Sequence, residues 1–217
     1  RTHVIAPFEP PKEWKIYRSY DFGYSKPFSI GWWAQDHDGR FYRILELYGC
    51  TGEPNTGVKW TPEKTAERIR EIEESHLYLK GKQIIGVADP SIWDASRGDS
   101  IAAVMEKYRI YFEKGDNKRI AGKMQVHYRL QFDTNGIPML YVFDTCKDFI
   151  RTIPELIYST TNPEDVDTNQ EDHIYDETRY ICQMNPIAPK RNIPAKATKY
   201  NPLEEEASRD PYGFIRL

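Results

Sequence analysis

Three stretches of this sequence hold side chains that can do chemistry together. In Lys15–Asp21 an alternating, aromatic-rich run ends on the carboxylate of Asp21, with Gly23 close behind. In Gln83–Asp89 a continuous apolar run ends on Asp89 and meets Pro90. In Glu171–Tyr180 the order Glu-Asp-His-Ile-Tyr-Asp-Glu-Thr-Arg-Tyr sets Asp172 four and His173 three residues before Asp176, on one flank of a helix. Carboxylates gathered from distant parts of a chain suit Mg²⁺ or Mn²⁺, hard ions that prefer oxygen ligands. Two such ions roughly 3.5–4 Å apart can activate a water and stabilise the oxygen that leaves a phosphodiester. An imidazole one helical turn before a carboxylate can ligate such an ion, accept the water's proton or protonate the leaving oxygen.

Each stretch also has a plain structural reading. Asp-x-Gly is ordinary turn chemistry. Asp89 before Pro90 reads equally as the cap of a strand-to-helix loop. Acidic residues in a first helical turn complement the dipole whatever the protein does. Two features go beyond these readings. A buried-type strand that ends on a carboxylate must hydrate it, pair it or give it to a metal. The dipole, for its part, has no use for the imidazole of His173.

The elements that must position these groups follow from periodicity. Lys15–Asp21 reads as a first strand, Phe28–Gln35 as a second and Phe41–Tyr48 as a third, with Asp36–Gly39 as a hairpin turn between the last two. A loop rich in Gly, Pro and Thr over Gly49–Trp60 leads to Thr61, Pro62 and Glu63, standard chemistry for a helix start. That helix is expected to run to about residue 79 and stop at Gly81. The run ending at Asp89 suits a strand buried on both faces. A helix over Ile101–Tyr108 and a short strand over Arg109–Glu113 come next. Lys114–Gln131 is expected to be a helix carrying Lys114, Lys118, Arg119, Lys123 and Arg129, which reads as a solvated face or as a contact face for DNA phosphates. Asn135-Gly136 predicts a hairpin over Phe132–Phe143, and Pro154 a kink in a helix over Cys146–Tyr158. Residues 1–14 read as a linker cut from a longer polypeptide, 15–184 as one folded domain, and 185–217 as an aperiodic tail, poorly ordered or ordered only on a partner.

Composition bounds the function. With 217 residues, 39% hydrophobic and 13% aromatic, the chain can fill one good-sized core. Its apolar runs fall short of the roughly 20 residues that span a bilayer. Cys50, Cys146 and Cys182 form no Cys-x-x-Cys pair, which predicts reduced, packed thiols in a cytosolic protein rather than a zinc or disulfide framework. A net charge of −3 argues against a metal-free DNA-binding module, but not against an acidic pocket that binds cations. The phosphate-loop motif of nucleotide motors is absent, as are the serine-elbow and zinc-protease motifs.

Three antiparallel strands, a helix, a buried strand and further helices is the order of the ribonuclease H-like fold, an α/β mixed sheet flanked by helices. Tyr20–Pro27, Val87–Trp93 and Asp172–Tyr180 resemble three motifs of the nuclease domain of tailed-phage large terminase subunits. The pattern Asp172-His173-x-x-Asp176-x-x-Arg179-Tyr180 is the most specific of them. The resemblance covers about residues 15–182. It implies an endonuclease that cuts concatemeric double-stranded DNA during genome packaging, using two divalent cations, Mg²⁺ or Mn²⁺. It further implies Asp21, Asp89 and Asp176 as metal-binding carboxylates and His173 as an auxiliary catalytic residue. Where some members have a further acidic residue soon after the first Asp, this chain has Ser25 and Lys26, and Asp172 is the substitute. The implied partners are double-stranded DNA, an upstream ATPase domain of the same polypeptide, a portal protein and a small terminase subunit. The implied place of action is the procapsid portal in the host cytoplasm, away from membranes. A different ribonuclease H-like nuclease, such as a Holliday-junction resolvase or a transposase-type enzyme, shares this local chemistry. A non-catalytic portal or capsid docking module is the third reading.

Overall fold

A computed structural model describes residues 2–96 and 98–188. Its frame is one seven-stranded mixed sheet: β1 (Val4–Ile5), β2 (Lys15–Asp21), β3 (Ser29–Gln35), β4 (Phe41–Tyr48), β5 (Ile84–Ala88), β6 (Glu113–Lys114) and β7 (Leu140–Phe143). The spatial order is β1-β7-β4-β3-β2-β5-β6. Strands β2, β3 and β4 pair antiparallel, as the two hairpin signals require. The pairs β2/β5, β5/β6, β4/β7 and β7/β1 are parallel. The α/β mixed sheet expected of a ribonuclease H-like fold is therefore present.

Helices α1 (Pro62–Ser75), α2 (Ile101–Lys107), α3 (Arg119–Leu130), α4 (Lys147–Thr152) and α5 (His173–Met184) complete the fold. The Thr61 hydroxyl caps α1 by accepting from the Lys64 amide at 3.3 Å, with Pro62 in the first turn. On this side of the sheet, Glu73 of α1 accepts from Arg18 Nη1 at 2.6 Å and from Trp32 Nε1 at 2.8 Å. Helix α5 packs across β2, β3 and β5 on the opposite side, and α3 packs on α5. Both faces are thus covered, which is why all of β2 after Lys15 is buried.

The interior between α5 and the sheet holds an ion pair. Arg43 and Glu177 are fully buried, with Nη1 and Oε2 2.7 Å apart. The Glu177 carboxylate also accepts from Ser29 Oγ at 3.0 Å, from Trp33 Nε1 at 3.1 Å and from Ser19 Oγ. Gly31 is required here, because a Cβ at that position would run into Arg43 Nη1 and Glu177 Oε1. Burial alone would push the Arg43 pKa down, but Glu177 and Glu46 turn the net shift upward, so the guanidinium stays charged.

Several expectations shift. Helix α1 ends at Ser75, and a turn fills the interval to Gly81, whose φ is +73°. Arg109–Glu113 contributes to the sheet only through Glu113, and the next helix begins at Arg119, because Lys114 still pairs with Ala88. The Asn135-Gly136 turn forms, with the Asp133 amide donating to the Ile137 carbonyl at 3.1 Å, but no hairpin follows. β7 lies between β1 and β4, so both of its edges are taken and a strand over 132–139 has nowhere to pair. Pro154 does not kink a helix; α4 stops at Thr152 and Pro154 sits in a 3₁₀ turn. Val4–Ile5, within the segment read as linker-like, adds the outermost strand beside β7. Of the expected tail, residues 189–217 lie outside the described residues. All three cysteines are free thiols, and Cys146 and Cys182 are buried.

Candidate active site

The β2/β5 register builds the site. Tyr20 is the partner of Ala88, and the Asp89 amide donates to the Tyr20 carbonyl at 2.9 Å. Asp21 and Asp89 are therefore the next residues on two adjacent parallel strands, side by side at their carboxyl ends. In open α/β sheets that edge is where ligands bind. After Asp21 the chain turns tightly; a Cβ on Gly23 would collide with the carbonyls of Lys26 and Pro27.

Asp21 is only 6% exposed. Burial, then the nearby charges of Asp176 and Asp89, push its carboxyl well above the ordinary carboxylate range. Its Oδ2 lies 3.2 Å from Nδ1 of His173, the first residue of α5. The other ring nitrogen, Nε2, lies 3.2 Å from Oδ1 of Asn55. Asn55 is oriented by its own Nδ2, which donates to the carbonyls of Asn169 and Gln170, both at 3.3 Å. His173 thus faces an oxygen on each side. If Nε2–H donates to Asn55, Nδ1 is an acceptor and its contact with Asp21 needs a proton on the carboxyl, in keeping with the raised Asp21 pKa. Burial holds the imidazole pKa below its usual value.

Asp89 caps the 3₁₀ turn Pro90–Trp93. It accepts from the Ser91 amide at 2.9 Å and from the Ser91 hydroxyl at 2.7 Å. The cap reading of this residue holds, and it leaves the carboxylate beside Asp21. Asp172 precedes α5, its carbonyl accepting from the Asp176 amide at 2.8 Å. Burial, followed by the charges of Asp176 and Asp21, raises its pKa to about 7.

Asp176 is engaged by two arginines. Arg119 Nη1 donates to its Oδ1 and Oδ2 at 3.1 and 2.8 Å, and Arg179 Nε donates to Oδ1 at 2.9 Å. Arg119 Nε also holds Asp165 at 2.6 Å, and its Nη2 lies 3.6 Å from Asp172. Among the described residues no three His, Cys, Asp or Glu side chains converge tightly enough to hold a metal ion.

The basic residues are dispersed. Lys114 lies over the Trp93 ring at 5.5 Å. Lys118 is 79% exposed along its side chain, near Asp116. Lys123 donates to the Glu164 carbonyl at 2.6 Å and lies over Tyr158. Arg129 is buried over the Phe41 ring, out of reach of any ligand at the surface.

Solved structures share this arrangement of strands and helices. The chain matches the nuclease domain of the P22 large terminase with a TM-score of 0.63 at 15% identity, covering 83% of this chain and 86% of that one. The fold is that of the terminase nuclease domain. The large terminase of a thermophilic bacteriophage matches with a TM-score of 0.65 at 22% identity, and its ADP complex with 0.64 at 24%. The chain spans 42% and 41% of the length of those two chains. No protein-family model and no curated protein matches the sequence. No helix of the described residues is long and apolar enough to cross a membrane.

Asn55, Asp165 and Glu177 were not singled out from sequence. Asn55 sits in a Gly/Pro/Thr loop with no local signal. Glu177 had one: it shares a helical face with Ile174, Tyr180 and Ile181, three or four residues away, where a carboxylate is out of place.

Proposed function

We propose that this chain is the nuclease part of a viral DNA-packaging terminase: a metal-dependent endonuclease that cuts concatemeric double-stranded DNA. The observation that supports the reading is the β2/β5 register, which ends at Tyr20 and Ala88 and so brings Asp21 and Asp89 to the same end of adjacent strands, with the charge of Asp176 near Asp21. The donor set fits divalent cations. It consists of hard carboxylate oxygens, and the buried Asp21 resists ionisation among like charges until a cation compensates it. Asp21, Asp89 and Asp176 would hold the ions, with Asp172 beside them. When bound, Mg²⁺ or Mn²⁺ would supply an activated water and charge stabilisation for the leaving 3′ oxygen.

The chain's own residues do the rest. Asn55 fixes the ring of His173, so that Nδ1 can take up a proton released at Asp21 or return one to a departing oxygen. Lys114, Lys118 and Lys123 lie on or near the surface leading to α3 and would contact DNA phosphates, giving affinity that falls steeply with salt. Arg119 is committed to carboxylates. The upstream ATPase domain, the portal protein, the small terminase subunit and action at the procapsid portal in the host cytoplasm belong to the same proposal.

The test is incubation of supercoiled plasmid with the protein and Mg²⁺, Mn²⁺ or EDTA. Nicked and then linear product with either metal, and none with EDTA, is expected. Intact plasmid with both metals, from a protein that melts cooperatively, would falsify the reading. Cleavage confined to four-way junctions would instead identify a resolvase.

A further inference from the structure

Resting on that reading of the site, we infer that Arg119 is a built-in counter-charge that competes with a divalent cation for Asp176, so that loading this carboxylate with metal requires Arg119 to let go. Both Asp176 oxygens are occupied by guanidinium hydrogen bonds, and Oδ2 is held by Arg119 alone. The two arginines are not equivalent. Arg179 is 1% exposed, lies on the same helix as Asp176 and is wedged among Tyr175 and Tyr180. It cannot withdraw. Arg119 comes from a different helix, its side chain is 27% exposed, and its Nε has an independent anchor on Asp165 at 2.6 Å. The planar guanidinium moves as one rigid unit, so Arg119 can give up Asp176 by a change of its side-chain torsions, with Asp165 as the second carboxylate within its reach and no backbone movement needed.

The Arg119 guanidinium is also incompletely satisfied where it stands. Its Nη2 is buried without a hydrogen-bond partner, 3.6 Å from Asp172. A buried donor left unmade has a free-energy cost, so the closed arrangement is not the best one available to Arg119 itself. What favours it is charge. Without a cation, Asp172, Asp176 and Asp21 repel one another, and the Arg119 guanidinium is a positive group that reaches both Asp172 and Asp176. A divalent ion at Asp176 would meet that positive group head-on, which makes the two occupancies antagonistic.

The experiment is calorimetric titration of Mn²⁺ into the metal-free chain, for the unaltered protein, Arg119→Gln and Arg119→Lys, with a thermal melt of each. Competition predicts that Arg119→Gln binds Mn²⁺ about tenfold more tightly, within the usual range of coupling between two ligands. Arg119→Lys, which keeps the charge but loses the two-pronged fork, should fall between. Metal-free melting temperatures should drop in both variants, and the rise on adding Mn²⁺ should be larger than in the unaltered protein. Equal or weaker Mn²⁺ affinity in Arg119→Gln overturns the inference and leaves Arg119 a structural tether. If Arg119→Gln fails to fold, the comparison of Arg119→Lys with the unaltered protein decides in the same way. Asp21→Asn separates the two levels: if it abolishes Mn²⁺ binding while Arg119→Gln leaves affinity unchanged, the metal site stands and only the competition fails. Absence of Mn²⁺ binding in every protein overturns both.

Discussion

Replacing Glu177 by Met tests whether the buried ion pair holds α5, and with it Asp176 and His173, in place over Asp21. The substitution removes a carboxylate that accepts from Arg43 at 2.7 Å, Ser29 at 3.0 Å, Trp33 at 3.1 Å and Ser19. It leaves the Arg43 guanidinium buried, with Glu46 at 3.3 Å as its remaining carboxylate. Breaking a buried pair by deleting one partner costs about 3–5 kcal/mol, and the surviving Glu46 contact points to the lower end, about 3 kcal/mol. In a chain of this size each kcal/mol moves the melting temperature by about 2–4 °C, so a drop of about 6–12 °C is expected. Removing both charges, in Arg43→Met/Glu177→Met, should recover part of that loss, because paired hydrophobic replacement of a buried ion pair is often neutral. The assay is thermal denaturation of the metal-free proteins followed by circular dichroism near neutral pH. A Glu177→Met protein that melts within about 2 °C of the unaltered one would refute the reasoning, since that is less than the effect of 1 kcal/mol. So would a double variant that melts below Glu177→Met, for then the neutral hydrogen bonds and not the charges hold the helix.

Two further outcomes concern the site itself. Because the folded Asp21 carboxyl titrates well above its unfolded value, the native state binds its proton more tightly than the unfolded chain does. Metal-free stability therefore falls as pH rises above the ordinary carboxylate range toward the folded pKa, and the penalty is complete beyond it. Asp21→Asn should raise the metal-free melting temperature at mildly alkaline pH and flatten its pH dependence; a lower melting temperature there contradicts the like-charge account. His173→Ala should slow plasmid cleavage while Mn²⁺ still binds, whereas Asp176→Ala should weaken Mn²⁺ binding as well. A His173→Ala protein that loses melting temperature but keeps its rate removes the imidazole from the mechanism.

Much of the frame was legible because it is local. Each of β2 to β5 is bounded by its own turn or cap signal, and the two hairpins and the Thr61-Pro62 helix start form where their residues put them. Asp21 and Asp89 stood out because each closes a strand, and parallel pairing of those strands brings them level. What the sequence hid is non-local. Lys114–Gln131 looked like one helix with one basic face, but β6 takes its start, Arg119 turns inward to three aspartates, and Arg129 is buried against Phe41. A charge pattern cannot distinguish a lysine in solvent from an arginine whose partners lie about 50 residues away. Asn55 and Asp165 were invisible for the same reason: the partners that bring them to the site lie on other segments of the chain. The two-residue strand β1 exists only as a parallel addition at the sheet edge, which no local periodicity records, whereas β6 overlaps the short strand expected over Arg109–Glu113 at one residue.

The central claim is that Asp21, Asp89 and Asp176 form one hydrolytic site, and Asp89 tests it best. Of the three, Asp89 has the side chain least tied into the fold, its carboxylate accepting from Ser91 and lying partly exposed. Its replacement by Asn keeps a capping side chain and should leave the melting temperature nearly unchanged. The decisive measurement is the rate of Mn²⁺-dependent plasmid cleavage by Asp89→Asn beside the unaltered protein. A loss of about 10²–10³-fold is expected if this carboxylate helps neutralise charge at the reacting phosphate. Cleavage at the unaltered rate, by a variant that melts normally, would contradict the account.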